Sequence, residues 1–172
     1  GIKISKGKYI AFLDSDDKWH RNKLKIQINY MLKNSIDISH TSYKIIDESG
    51  KTLGLRIAET LNYEMLLKSC DIGLSSVIIK KNIFNNKVKF ANIKTKEDYV
   101  LWLKITEKGK KIYGLNKILL SWNKSENSLS SSLFRKLIDG FIVYKRYRKY
   151  NFLKSIFFLI ILSLNFLKKK YL

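Results

Sequence analysis

The stretch YIAFLDSDDKW, residues 9–19, holds the residues best suited to chemistry. Asp14, Asp16 and Asp17 place three of the chain's fourteen carboxylates within four positions, in a protein of formal charge +20. Carboxylates that close repel one another, so the cluster expects a positive partner. If the apolar run Tyr9–Leu13 is a strand, residues two apart share a side. Asp14 and Asp16 then share one face, and Asp17 lies on the other or turns into a helix. Ligands of open α/β sheets sit off the carboxyl ends of strands. An acidic pair there suits a hard divalent cation such as Mg²⁺ or Mn²⁺, completed by water or diphosphate oxygens. The same residues also fit a metal-free arrangement, in which Asp14 ends the strand and Asp17 caps the next helix.

A second acidic pair, Glu97-Asp98, heads the segment EDYVLWLKITEK. The dipole of a helix favours carboxylate over carboxylic acid at its first turn. A carboxylate positioned there can take a proton from an attacking hydroxyl, although an acidic first turn needs no chemistry to explain it. Ser75 and Ser76 are small polar residues inside an apolar run. His20 and His40 lack metal-ligand spacing and read as structural. The single Cys70 excludes an internal disulfide framework and is compatible with a reducing compartment.

Alternating strand and helix patterns argue for an α/β fold that positions these groups. A buried strand is expected over 8–13. A helix follows over 20–34, with Leu24, Ile28, Met31 and Leu32 on its apolar face. Strands over 36–46 and 51–57 flank the turn Asp47–Gly50. A short helix over 63–69 is capped by Asn62, and a strand spans 72–79. The helix over 97–108 stops at Gly109. A strand runs over 112–122 with a turn at 114–117. The serine-rich loop 125–132 reads as a boundary, dividing a domain over 1–130 from a helical tail over 131–172.

The positive charge needs a partner, whether nucleic acid, anionic lipid or a phosphorylated substrate. From Arg135 to Leu172 there are ten basic residues and one acid, so the tail alone carries +9. Tyr144, Tyr147 and Tyr150 interleave with basic residues, as a nucleic-acid surface would require. No nucleic-acid-binding module matches, and the acidic cluster would repel phosphates without a metal. The tail's apolar core, 156–167, falls short of the roughly 20 residues of a membrane span. A helix of this kind lies in a membrane interface or packs on its own domain. Its flanking lysines suit anionic headgroups.

The run GKYIAFLDSDDKW, followed by Lys23-Leu24 and Gln27, resembles the family-2 glycosyltransferases of GT-A fold. The match is nearly residue for residue to a pattern G-x-Y-[IV]-x-x-L-D-x-D-D-x-[WY], then K-L-x-x-Q. The resemblance implies a partial GT-A mixed, Rossmann-like sheet flanked by helices, with a C-terminal helical tail. It implies that Asp14 and Asp16 form the D-x-D motif. Asp14 then lies near the nucleotide's ribose, and Asp16 holds Mn²⁺ or Mg²⁺ on the sugar-nucleotide diphosphate. Lys96-Glu97-Asp98, followed by Leu101-Trp102-Leu103, resembles the family's E-D-x-x-L-W-L segment. By that resemblance Asp98 is the general base of an inverting transfer, and Glu97 touches the acceptor or orients its loop. Ser75 and Ser76 resemble a strand bordering the acceptor. Trp122-Asn123-Lys124 and Ser128-Leu129-Ser130 resemble the closing segment near the diphosphate. Many members carry Tyr-Arg where this chain has Ser121-Trp122, which leaves Lys124 as the basic residue for that contact.

The implied partners are a nucleotide-sugar donor, a saccharide or lipid-linked acceptor and an anionic membrane surface, with no nucleic acid. The implied setting is bacterial surface polysaccharide synthesis (lipopolysaccharide or capsule), in the cytoplasm and peripheral to the inner face of the plasma membrane. The resemblance runs from residue 1 to about 130 and leaves out the family's first, nucleotide-binding half. On that ground the chain reads as the C-terminal portion of such an enzyme, or as an inactive remnant that binds membrane.

Overall fold

A computed structural model describes residues 1–124 and 133–170. Two compact units divide it, each assembled from separate stretches of chain. The first comprises Gly1–Leu61, Asp71–Val88 and the segment that begins at Lys111.

This first unit holds a six-stranded sheet. Its strands are β1 (Tyr9–Ala11), β2 (Lys18–Trp19), β3 (Ile38–Ile46), β4 (Thr52–Arg56), β5 (Ile78–Lys80) and β6 (Tyr113–Asn123). The order is β1-β5-β3-β6-β2, with β4 also paired to β3. Only β3 and β6 run parallel; every other pair is antiparallel. β3 has neighbours on both edges, and its residues Ile38–Tyr43 are all buried. Its polar side chains therefore need partners. Ser42 Oγ accepts from Ala58 N at 2.9 Å and donates to Asn116 Oδ1 at 3.1 Å. His40 Nε2 lies 2.8 Å from Glu59 O, the structural role expected of it.

The turn expected at 114–117 is instead a bulge within one continuous strand. Thr41 pairs with Leu115 and Ser42 with Ile118, so Asn116 and Lys117 are extra residues in β6. The signal mistaken for a turn is Gly114, which is needed for close approach. A Cβ there would lie 2.6–2.7 Å from backbone atoms of Ala58 and Glu59. The hairpin β3–β4 forms as expected, with Asp47 Oδ1 accepting from Ser49 N and Lys51 N.

Helix α1 (Lys23–Lys33) corrects the expected apolar face. Its buried residues are Lys23, Gln27 and Met31, whereas Leu24 and Leu32 are exposed. Met31 joins Ile36 and Ile78 in a core cluster. Asp17 is not its cap. Asn22 occupies the cap position without a side-chain bond.

The second unit comprises Asn62–Cys70, Lys89–Lys110 and the C-terminal helices. Helix α2 (Tyr63–Lys68) is capped by Asn62, whose Oδ1 accepts from Met65 N at 2.9 Å. Helix α3 (Glu97–Thr106) buries Tyr99–Leu103 together with Ile105 and Thr106. The chain leaves it at Gly109, with φ of +80°. Helix α4 (Leu133–Ile142) runs into a π-helical turn over Val143–Tyr147, and α5 spans Phe152–Lys170. Tyr144 Oη donates to Leu67 O at 2.8 Å, and Tyr99 Oη donates to Leu66 O at 2.6 Å. These bonds tie the π-helical turn and α3 to α2. Arg148 pairs with Glu107 through both guanidinium nitrogens. No helix among the described residues is long and apolar enough to cross a membrane.

Candidate active site

Asp14 to Asp17 form a turn rather than the end of a strand. Asp17 N donates to Asp14 O at 3.1 Å, which removes the strand alternation expected to align Asp14 with Asp16. The turn is fixed from two sides. Asp14 N donates to Ser75 Oγ at 3.0 Å, and Trp19 Nε1 donates to Ser75 O at 2.7 Å. On the other side Asn123 N, in β6, donates to Asp17 Oδ1 at 3.0 Å. Lys124, exposed, is the next residue, and its N donates to Ile46 O.

Ser75 and Ser76 lie in a 3₁₀ turn, Leu74–Ser76, and not in the strand expected over 72–79, which is confined to β5. The tight turn aims the Ser75 hydroxyl at the acidic residues. Ser76 Oγ donates to Gly73 O at 2.6 Å and so closes its own turn.

Burial raises the Asp14 carboxyl above its ordinary range, and the Asp16 charge adds to this, while the Ser75 hydroxyl opposes it. Burial also raises Asp17; Ser75 and Asn123 oppose it, and Asp14 and Asp16 repel it. Asp17 Oδ2 is buried and has no hydrogen-bond partner among the described residues. The turn is therefore short of positive charge and of donors. No three His, Cys, Asp or Glu side chains among the described residues cluster as a self-sufficient metal site. The donors present are all carboxylate oxygens. They fit a hard cation that takes its remaining ligands from water or a phosphorylated ligand.

A buried polar chain starts at Lys23 and Gln27, the residues of the K-L-x-x-Q pattern. Lys23 is fully buried, and its Nζ donates to Gln27 Oε1 at 2.8 Å and sits 4.6 Å from the Trp19 ring centroid. Gln27 Nε2 donates to Ser39 O, Ser39 Oγ and Ser76 O at 3.0–3.1 Å. Burial pushes Lys23 down to about 7. Residues 23, 27 and 31 share one helical face, offset from the expected face through Leu24, Ile28, Met31 and Leu32.

Glu97 and Asp98 belong to the second unit, half-buried at the first turn of α3. Tyr99 N donates to Asp98 Oδ1 at 2.6 Å. The expected contact of Ser128 and Ser130 lies outside the described residues. A separate cleft of about 510 Å³ is lined by Lys6, Gly7, Lys8, Lys80, Lys81 and Asn82, and includes none of the acidic residues.

The site is thus an acidic turn between β1 and β2 of a mixed α/β sheet. The family described as Glycosyl transferase family 2 matches residues 1–89, and the chain belongs to it. A Bacillus subtilis relative, TuaG, named for a role in teichuronic acid biosynthesis, is 32% identical over 98% of this chain and 68% of its own length. The Escherichia coli UDP-Glc:α-D-GlcNAc-diphosphoundecaprenol β-1,3-glucosyltransferase WfgD is 38% identical over 79% of this chain. This chain spans 53% of WfgD. The S. aureus TarS structure in complex with UDP-GlcNAc superposes with a TM-score of 0.62 at 19% identity, over 85% of this chain and 43% of TarS. That likeness establishes the GT-A-like α/β fold.

Proposed function

We propose that the chain carries catalytic residues of a metal-dependent, inverting glycosyltransferase. It moves a sugar from a nucleotide-diphosphate donor to a saccharide or lipid-linked acceptor in bacterial surface polysaccharide synthesis. The observation that carries this reading is the Asp14–Asp17 turn, held by Ser75 and Asn123 and short of positive charge, in a chain of this family. TuaG and WfgD support the substrate class by what their names say they do.

In the reaction, the bond from the anomeric carbon to the diphosphate oxygen breaks, and its electron pair leaves with the nucleoside diphosphate. An acceptor hydroxyl oxygen bonds that carbon from the opposite face, and its proton passes to the Asp98 carboxylate. Glu97 orients the acceptor, which Ser75 and Ser76 border. Asp14 faces the nucleotide's ribose, and Lys124 faces the diphosphate. Mn²⁺ or Mg²⁺ held by Asp16 and Asp14 would neutralise charge on the leaving diphosphate. Residues 1–130 supply this machinery, and 131–172 form a basic tail on the inner face of the plasma membrane.

The test uses a panel of sugar nucleotides with Mn²⁺ and lipid-linked acceptors. Asp16→Ala loses Mn²⁺-dependent nucleotide binding, measured calorimetrically with UDP. Asp98→Asn keeps that binding and loses transfer. Wild-type turnover in both variants refutes the assigned roles.

A further inference from the structure

Helix α5 is apolar on the side it presents to solvent. Leu153, Phe157, Ile160, Leu164 and Leu167 are 47–78% exposed. At about 100° per residue these positions fall within an arc of roughly 80° and form one stripe roughly 21 Å long. The opposite side carries the packing. Phe158 stacks on Tyr144 with centroids 5.6 Å apart, Ser155 is fully buried, and Asn165 donates to Lys68 O at 2.9 Å. Lys154 and Lys168, both exposed, fall beside the stripe on the same helical projection. Helix α4 adds exposed Phe134, Leu137 and Ile138 to the apolar surface of this unit.

Charge selects the occupant. The segment from Arg135 onward carries ten basic residues and a single acid, Asp139. That carboxylate is buried and accepts from Thr95 N at 3.1 Å and Thr95 Oγ1 at 2.7 Å. A second copy pairing through the same helix would bring the same +9, and the one acid of its segment, Asp139, is already bonded to Thr95. An anionic lipid surface supplies both an apolar layer for the stripe and phosphates for its lysines.

We infer that α5 lies flat on an anionic bilayer, with the Leu153–Leu167 stripe in the headgroup–acyl boundary and Lys154 and Lys168 on lipid phosphates. This deepens the membrane setting given to the transferase reading but needs no donor, acceptor or turnover, so the two fail separately.

The experiment is co-sedimentation of the full chain with vesicles of phosphatidylcholine alone or with 30% phosphatidylglycerol. A basic side chain near an anionic surface strengthens binding about fivefold, so Lys154 and Lys168 together contribute about 25-fold to the preference for the anionic vesicles. Phe157→Gln with Ile160→Gln weakens binding at least about tenfold with circular dichroism unchanged, although Phe157 gives up its edge contact with the Phe158 ring at 5.5 Å; Leu153→Gln with Leu164→Gln, 78% and 53% exposed, gives the same loss. Lys154→Gln with Lys168→Gln lowers the anionic preference about 25-fold and keeps the fold; an unchanged preference overturns the placement of these two lysines. Equal sedimentation of wild type and the Phe157/Ile160 variant overturns the inference. So does a wild-type dimer by light scattering that this variant abolishes.

Discussion

Lys23 makes a pH dependence of stability calculable. Its Nζ is buried between Gln27 and the Trp19 ring. Among the described residues no carboxylate pairs with it. Burial lowers it from its ordinary value of 10.5 to about 7 in the folded chain, while the unfolded chain keeps the ordinary value. Below about pH 7 both states hold the proton, and the folded state bears the full cost of a buried ammonium. From pH 7 to 10.5 the folded state has released that proton and the unfolded state has not. The unfolded state then binds more protons, and stability rises with pH. Between pH 7 and 9.5 the gain amounts to about 3 kcal/mol. Stopping at 9.5 keeps below the ordinary tyrosine value of 10.0, at which the unfolded chain ionises while burial holds Tyr63, Tyr99 and Tyr144 protonated in the fold. Those tyrosines act with the opposite sign at higher pH. Urea unfolding followed by tryptophan fluorescence at pH 7, 8.25 and 9.5 measures the slope. Lys23→Met fills the same volume without a titrating group, so its profile loses the Lys23 rise and keeps only that of Lys104, which burial and the Lys89 charge also lower. A flat wild-type profile would show that the ammonium is not destabilised by burial. An unchanged slope in Lys23→Met would assign the effect to other groups.

Two further substitutions test the supports of the site. Ser75→Ala removes the acceptor of Asp14 N and the hydroxyl that opposes the rise of both Asp14 and Asp17. It costs about 1–3 kcal/mol in urea unfolding and weakens nucleotide binding with Mn²⁺; retention of both values refutes the bracing role. Gly114→Ala drives a Cβ to 2.6–2.7 Å from the backbone of Ala58 and Glu59. It lowers stability by at least about 1–3 kcal/mol, read as a fall in the thermal midpoint; an unchanged midpoint shows that the β6 bulge yields.

Local patterns carried much of the fold. The hairpin around Asp47 and the Asn62 cap follow from side chains that bond their own backbone within a few residues. The stop at Gly109 follows from a positive φ that glycine adopts without strain. The acidic run at 14–17 and the pair at 97–98 were legible because like charges placed together in a basic chain need a reason.

What stayed hidden depended on distant partners. The burial of Lys23 and Gln27 is not legible from polarity, which predicts exposure only when no buried acceptor waits. Here that acceptor network comes from Ser39 and Ser76, 12 and 49 residues away from Gln27. Asp17 looked like a helix cap because Asn123, 106 residues on, was not in view. Gly114 looked like a turn because glycine's second use, close approach of two backbones, shows only once Ala58 and Glu59 arrive. The sequence by itself determined the family, most of the element types and the cluster of carboxylates, since these rest on short-range spacing and residue chemistry. Tertiary structure alone decided which side chains brace that cluster, which polar groups are buried and which face of α5 is left apolar toward solvent. Each of these is set by contacts between residues far apart in the chain.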